Sequence, residues 1–325
     1  MTTDVLIVGC GKIAGGYDEG RSESDFALSH AAAYRKIPSV RLMACVDPDE
    51  QALLHFSKFW NVENPYASVS AIPQESHFSV VSICTPTDRH AESVSQCFRF
   101  KPNVIFLEKP IATTASEAMK VISQCQQAGV ALIVNYSRRW DLALTDFINA
   151  LQEGQYGPVR KIVGYYTRGL LNNGSHLLEI LLRMLGPLNV EFATLAGKGS
   201  GVLDPDIDAV MTSEKGISVH LVSTDAEDFA RFEMDIHTAN AEIRMLDGGL
   251  RWEVRKVQDH PEYAGYRKLG VAEPVAGQYM PVMERAISQV LAEAGGDADY
   301  SSAMDALAVQ VLCETITGAA HEKRF

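Results

Sequence analysis

Two short segments carry most of the chemistry in this sequence. Gly9-Cys10-Gly11-Lys12-Ile13-Ala14 follows directly on the apolar run Val5-Leu6-Ile7-Val8, and Glu108-Lys109-Pro110 comes about a hundred residues later. A strand running into a Gly-x-Gly-x-x-Gly/Ala turn presents backbone N–H groups and a helix N-terminus to a dinucleotide pyrophosphate. Gly9, Gly11, Lys12, Ile13 and Ala14 are therefore the expected cofactor cradle. A lysine at the end of a later strand, beside Glu108 and facing the nicotinamide, can donate to a substrate oxygen as hydride leaves or joins its carbon. Partial desolvation would also ease release of the Lys109 proton. For an isolated Glu-Lys-Pro, a surface ion pair before a proline turn is the alternative.

The second expected strand ends in Ala44-Cys45-Val46-Asp47, where doubly wound dinucleotide folds place an acid on the adenosine ribose. Asp47 is expected to accept from the 2′-hydroxyl and to repel a 2′-phosphate, which favours NAD; Lys12 and Arg21 keep NADP open. Asp47-Pro48 also reads as a helix N-cap followed by proline at the first helical position. The stretch 17–29 interrupts the usual passage from phosphate turn to helix and reads as an inserted loop. It is either a lid over cofactor or substrate, or a solvated acidic loop.

The elements that must hold these residues follow from the rhythm of the first 135 positions. Strands are expected at 5–8, 42–46, 80–84, 104–107 and 130–134, with helices around 30–36, 50–60, 90–98 and 115–128. The last helix opens with the capping box Thr114-x-x-Glu117 and closes at Gly129. The expected class is α/β, an N-terminal doubly wound parallel sheet. After 134 the rhythm changes to helices near 142–151 and 175–185, then strand-like sequence over 190–257. A Gly-rich hairpin turn is expected at 246–250. Helices near 281–293 and 302–317 close the chain. Two packed domains are expected, 1–136 and an α+β domain at 137–325, with the last helix able to pack back on the first.

Composition sets further limits. The 325 residues are 46% hydrophobic and 22% charged, which suits two cores, and the net charge of −12 disfavours nucleic acid or an anionic membrane as partner. With no basic leader-like start and no run of eighteen apolar residues, the chain reads as cytoplasmic. Cys10, Cys45, Cys84, Cys97, Cys125 and Cys313 have no Cys-x-x-Cys spacing and read as buried thiols. The histidines have no metal-binding spacing and there is no Gly-x-Ser-x-Gly elbow, so neither a metal site nor a serine nucleophile is expected.

Four further segments join the first two: His30-Ala31-Ala32-Ala33-Tyr34, Ser82-Ile83-Cys84-Thr85-Pro86-Thr87-Asp88-Arg89-His90, Asn135-Tyr136-Ser137-Arg138-Arg139-Trp140 and Asn172-Asn173-Gly174-Ser175-His176-Leu177-Leu178-Glu179. In this order they resemble the Gfo/Idh/MocA oxidoreductases, named for glucose–fructose oxidoreductase, inositol dehydrogenase and a rhizopine catabolism protein. The resemblance implies a Rossmann domain followed by an α+β domain whose large, mostly antiparallel open sheet joins a homodimer or homotetramer. It places Thr85 and Pro86 beneath the nicotinamide, with His90, Glu108 and Asn135 along the cofactor. Lys109 then reaches the substrate, before a proline that is often cis. It makes His176 the general acid/base, a task that suits an imidazole with an unperturbed pKa of about 6.5. Arg138, Asn172 and Asn173 are implied substrate contacts, and either Arg138 or Arg139 an interdomain ion-pair partner.

The chain departs from the family's common Asp-x-Gly-x-His-x-x-Asp at both acids. Asn172 can hydrogen-bond a sugar hydroxyl but cannot accept a proton, although it stays a candidate catalytic residue. Glu179, four residues before Arg183, reads as the partner of a helix ion pair. The Asn-Asn-Gly-Ser-His form resembles members acting on sugars or nucleotide-sugars. The expected function is hydride transfer between NAD(P) and a ring carbon of a sugar, nucleotide-sugar or polyol, with Lys109 and His176 handling the proton. The alternatives are a redox-neutral NAD-using sugar enzyme and a non-enzymatic dinucleotide sensor.

Overall fold

The computed structural model describes residues 2–196, 203–296 and 300–322. The chain forms two compact units: 1–137 with 280–308, and 138–279 with 309–325. It leaves the first unit at 137 and returns to it for one helix and the start of the next.

In the first unit, β1 (Thr3–Val8), β2 (Val40–Val46), β3 (Asn64–Tyr66), β4 (Val80–Ile83), β5 (Val104–Glu108) and β6 (Ala131–Asn135) form one parallel sheet in the order β3-β2-β1-β4-β5-β6. All of β4 and β6 is buried, as parallel strands covered on both faces require, and this is why they read as unbroken apolar runs. The order reverses between β1 and β4, which opens the ligand crevice of such sheets at the carboxyl edge. Sequence rhythm missed β3. It is three residues long, contains Pro65 and lies at the sheet edge, where a proline costs no ladder bond.

The crossover helices are α1 (His30–Arg35), α2 (Glu50–Trp60), α3 (His90–Cys97) and α4 (Ala115–Ala128). The α2 cap is Asp49, whose carboxylate accepts from Gln51 and Ala52 N–H, and not Asp47. In α4, Thr114 accepts from the Glu117 N–H, while Glu117 reaches back to Thr113 rather than to Thr114 itself. Gly129 ends that helix at φ 65°.

The insert changes how the phosphate turn is built. In an uninterrupted helix, the carbonyls of Ile13 and Ala14 would accept from N–H groups four residues on. Here they accept from His30 N (3.1 Å) and Ala31 N (2.8 Å), so 15–29 is an excursion out of one helical turn that then resumes. The usual passage from phosphate turn straight into a helix is thus replaced, as the inserted loop implied, by a turn of two chain segments. Asp18 closes the excursion: its buried carboxylate accepts from Leu28 N, Ser29 N and Ser29 Oγ, the last two at 2.8 and 2.6 Å. The Arg35–Glu23 ion pair and the contact of His55 Nε2 with Glu19 at 3.0 Å tie the loop to α1 and α2. Glu284, on α7 (Val282–Glu293), accepts from Ala27 N and pairs with Lys36 at 2.7 Å. These ties make the insert a fastened strap in this structure.

The second unit carries β7 (Val159–Tyr166), β8 (Leu188–Leu195), β9 (Ile207–Ser213), β10 (Ser218–Ser223), β11 (Phe232–Thr238), β12 (Ala241–Leu246), β13 (Arg251–Asp259), β14 (Arg267–Leu269) and β15 (Glu273–Ala276). They form a nine-stranded sheet in which β7 and β10 pair in parallel and every other pair is antiparallel. Strict in–out alternation, clearest in β9, marks a sheet with one face buried. α5 (Leu142–Gln152) and α6 (Ser175–Leu185) belong to this unit. Phe147 of α5 stacks on fully buried Trp252 at 4.5 Å between ring centroids. The β12–β13 turn uses Gly248 and Gly249 at φ 70° and 100°.

The final helix, α8 (Ser301–Glu322), is long and apolar enough to cross a membrane by length and composition alone, with mean hydropathy 1.2 over its most apolar window. Half of that window is buried inside the protein, as in a core helix. All six cysteines are free and buried.

Replacing Asp18 by alanine leaves two backbone N–H groups and the Ser29 hydroxyl without their acceptor. The expected cost is about 2–3 kcal/mol, read from urea unfolding, with faster proteolysis inside 19–27. An unchanged midpoint and cleavage rate would show that the strap does not depend on this carboxylate.

Candidate active site

The carboxyl edge of the parallel sheet gathers the predicted cofactor residues of the first unit. Gly9 has φ +92°, and its N–H donates to Val46 O at 2.8 Å. A Cβ on Gly9 would lie 2.8 Å from the Cys84 carbonyl carbon, so only glycine lets β1 pass this close to the end of β4. A Cβ on Gly11, by contrast, would meet nothing within 4 Å, which leaves open space over the turn. Lys12 is exposed there, Ile13 half-buried and Ala14 fully buried. Beneath the turn, hydrogen bonding to Cys45 and burial push the Cys10 thiol far up, which makes it unreactive.

Asp47 is half-buried. It accepts from Cys10 N at 2.8 Å through Oδ2 and from Asp49 N at 2.9 Å through Oδ1. It therefore ties the glycine turn to the end of β2. Each oxygen keeps a second lone pair for a ribose hydroxyl.

Further along the same edge, Thr85 follows β4, Glu108 ends β5 and Asn135 ends β6. Pro86 is exposed next to Thr85, and the Lys109–Pro110 peptide is cis. Glu108 Oε1 receives two donors, His30 Nε2 at 2.9 Å and Asn135 Nδ2 at 2.7 Å. Burial alone would raise its pKa, but the His30 bond and charge, the Asn135 bond and the Lys109 charge together hold it below the usual glutamate range. Lys109 is half-buried beside this anion.

His90 departs from its expected role. It is 1% exposed, and its ring nitrogens face Pro110 O at 2.8 Å and Thr85 O at 2.9 Å. Both nitrogens are engaged by backbone, so His90 straps together the two loops that carry Thr85 and Lys109 rather than touching a cofactor.

Among the described residues, the buried atoms Thr85 Oγ1, Asn135 Oδ1 and His30 Nδ1 at this edge have no hydrogen-bond partner. With the open space over Gly11 they fit a dinucleotide, whose phosphates need backbone N–H groups and whose carboxamide needs polar neighbours.

The second unit positions the remaining residues. Asp204 accepts from Leu171 N and Asn172 N, both at 2.8 Å, and Asp206 accepts from Gly169 N at 2.8 Å. These acids hold the π-type turn Leu170–Gly174 that leads into α6. Gly169, at φ 87°, lies so close to Asp204 that a side chain there would collide with the carboxylate. The amide donors of Asn172 and Asn173 go to Arg168 O (3.1 Å) and Thr167 O (3.0 Å), so both amides brace this turn. His176 follows on the first turn of α6, half-buried, with its ring edge-on to Phe232 at 6.4 Å.

Arg138 corrects another expectation. It is 9% exposed and sandwiched by rings, its guanidinium carbon 3.6 Å from the Phe232 centroid and 4.8 Å from that of Tyr279. This is a cation–π packing site within the unit, not an outward substrate clamp. Burial lowers its pKa. Arg139 pairs with buried Glu179 at 3.0 Å, and Arg183 approaches the other oxygen at 3.7 Å. Arg139, Glu179 and Arg183 all lie in the second unit.

Sequence reasoning gave no role to His30, Asp18, Asp204 or Asp206. His30 stood inside a family segment, but nothing local connects it to Glu108, 78 residues away.

The lowered Glu108 pKa fixes the sign of a pH effect. Its stabilisation is complete above the ordinary glutamate range near pH ~4.3 and is lost as pH falls through the depressed value. Wild type should therefore lose more stability than Glu108→Gln between about pH 6 and pH 3. Parallel urea midpoints for the two proteins across that range would overturn this.

Residues 3–136 match the Gfo/Idh/MocA oxidoreductase family, NAD-binding Rossmann fold. D-apiose dehydrogenase of Paraburkholderia graminis is 24% identical over 59% of this chain and 56% of its own length, so the chain spans little more than half of that relative. Inositol 2-dehydrogenase 2 of Saccharopolyspora erythraea is 25% identical over 97% of this chain and 92% of its own. A 3-ketoreductase from Actinomadura kijaniata, solved with NADP and TDP-benzene, shares the fold with a TM-score of 0.77 at 16% identity, over 98% of both chains. The likeness to the Gfo/Idh/MocA oxidoreductases thus rests on the NAD-binding Rossmann unit at residues 3–136.

Proposed function

We propose that this protein is an NAD(P)-dependent dehydrogenase or reductase that moves hydride between the nicotinamide and a ring carbon of a sugar, nucleotide-sugar or polyol. The observation that carries this reading is the carboxyl edge of the first sheet. Glycine turn, ribose-side acid, unpartnered Thr85 and Asn135 oxygens, and Lys109 all stand along it. The relatives named for apiose and inositol support a polyhydroxylated substrate. The TDP-benzene bound by the A. kijaniata ketoreductase supports a nucleotide-sugar.

When bound, the nicotinamide accepts or returns the hydride. The protein's task is the hydroxyl proton. His176 takes it as the alcohol is oxidised or returns it as the carbonyl is reduced, and the Lys109 ammonium donates to the same oxygen as its charge develops. Asn172 and Asn173 shape the turn before His176 and have no acid/base part, because an amide does not accept a proton. Asp47 favours NAD, since its carboxylate would repel a 2′-phosphate. In this reading the open face of the nine-stranded sheet joins a homodimer or homotetramer, and the enzyme works in the cytoplasm.

The test is reduction of NAD and NADP against sugars, uronic acids, inositols and nucleotide-sugars, followed by absorbance. On the substrate so found, Lys109→Ala and His176→Ala should each lower kcat by at least about a hundredfold with NAD affinity largely kept. Undiminished turnover in either variant removes that residue's role. Bound NAD with no net reduction would favour a redox-neutral cycle or a sensor.

A further inference from the structure

We propose that His30 is a positioning residue for the nicotinamide end of the cofactor, acting through Glu108 on the side-chain amide of Asn135. The inference rests on the dinucleotide-binding reading of the first unit. Glu108 can only accept, so His30 Nε2 and Asn135 Nδ2 both donate to the same oxygen, Oε1, at 2.9 and 2.7 Å. That arrangement decides which way the Asn135 amide faces. With Nδ2 on Glu108, Oδ1 is turned away and stands buried without a protein partner. A buried acceptor of this kind needs a donor. The primary carboxamide of nicotinamide carries two N–H groups, and Thr85 Oγ1, also buried and unpartnered, can serve its other side.

His30 is suited to hold this orientation because it is buried and fastened at ring and backbone. It is 0% exposed, its ring packs on Phe106 at 4.7 Å between centroids, and its backbone N–H donates to Ile13 O in the glycine turn at 3.1 Å. One residue thereby joins the turn under the phosphates to the strand end beside Lys109. Without the His30 donor, Glu108 keeps a single hydrogen bond from Asn135 and is drawn by the neighbouring Lys109 charge, which already acts on it. The carboxylate is then free to turn, and the Asn135 amide loses its fixed face.

The test compares two ligands that share everything except nicotinamide. NADH and ADP-ribose affinities are measured by calorimetry for wild type, His30→Leu, which keeps apolar bulk against Phe106, and His30→Gln, whose amide restores an N–H toward Glu108. His30→Leu should weaken NADH by about tenfold, the effect of one lost hydrogen bond to a charged group, and leave ADP-ribose within about twofold. His30→Gln should restore most of the loss. Equal weakening of both ligands would show that His30 only supports the turn, and unchanged NADH binding, or failure of Gln to improve on Leu, would also overturn the proposal. If His30→Leu does not fold, His30→Gln against His30→Asn, whose shorter amide falls short of Glu108, makes the same comparison. Turnover by wild type is scored separately. Loss of nicotinamide-specific binding in His30→Leu with no wild-type turnover on any substrate keeps this inference and removes the catalytic reading.

Discussion

The first unit depends on the close approach of β1 to β4 at Gly9. A side chain at that position would press on the Cys84 carbonyl carbon and oxygen, so the backbone itself, at positive φ, makes the contact. Because β1 and β4 are the strands where the sheet order reverses, this approach sets the width of the crevice there. Around it the other strand ends are fastened in turn: Gly9 N–H to Val46, Cys84 N–H to Val8, Cys10 N–H to Asp47. The cofactor edge is thus held by backbone geometry together with the Asp47 carboxylate.

On that edge the largely enclosed carboxylate of Glu108 has to be compensated. Two donors and one neighbouring cation hold its charge, and each of them belongs to a different segment: His30 after the insert, Asn135 at the end of β6, Lys109 at the start of the cis-proline turn. His90 fixes that turn from below by bridging Pro110 and Thr85 carbonyls. The lysine is therefore presented from a frame whose members constrain one another, which is the arrangement proton transfer and charge stabilisation need.

The second unit solves a comparable problem with different means. Glu179, nearly fully buried, is matched by Arg139 and Arg183, while the Arg138 guanidinium is covered by two aromatic rings. Such buried charges contribute little net stability but penalise any packing that separates them. The acids Asp204 and Asp206 do similar service for the turn before His176, where the backbone passes through positive φ at Arg168 and Gly169.

Much of this was legible in the amino-acid order. Periodicity located α2, and periodicity with caps located α4, to the residue, while apolar runs located five of the six parallel strands, because these signals are local. The glycine turn, Asp47 and the Glu-Lys-Pro segment were visible for the same reason. Hydrogen-bond partners were not. Asp47 and Asp49 look alike beside a proline, and only the fold shows that Asp49 caps the helix while Asp47 holds the glycine turn. His90 and Arg138 read as ligand contacts, yet tertiary packing turns one into a strut and sheathes the other in rings. His30 stood in a family segment, but nothing in it signalled the bond to Glu108, since a partner 78 positions away leaves no periodicity behind. The sequence by itself determined the elements and the residue types at the strand ends; which of those side chains face each other, and which are left for a ligand, was decided by the three-dimensional meeting of distant segments.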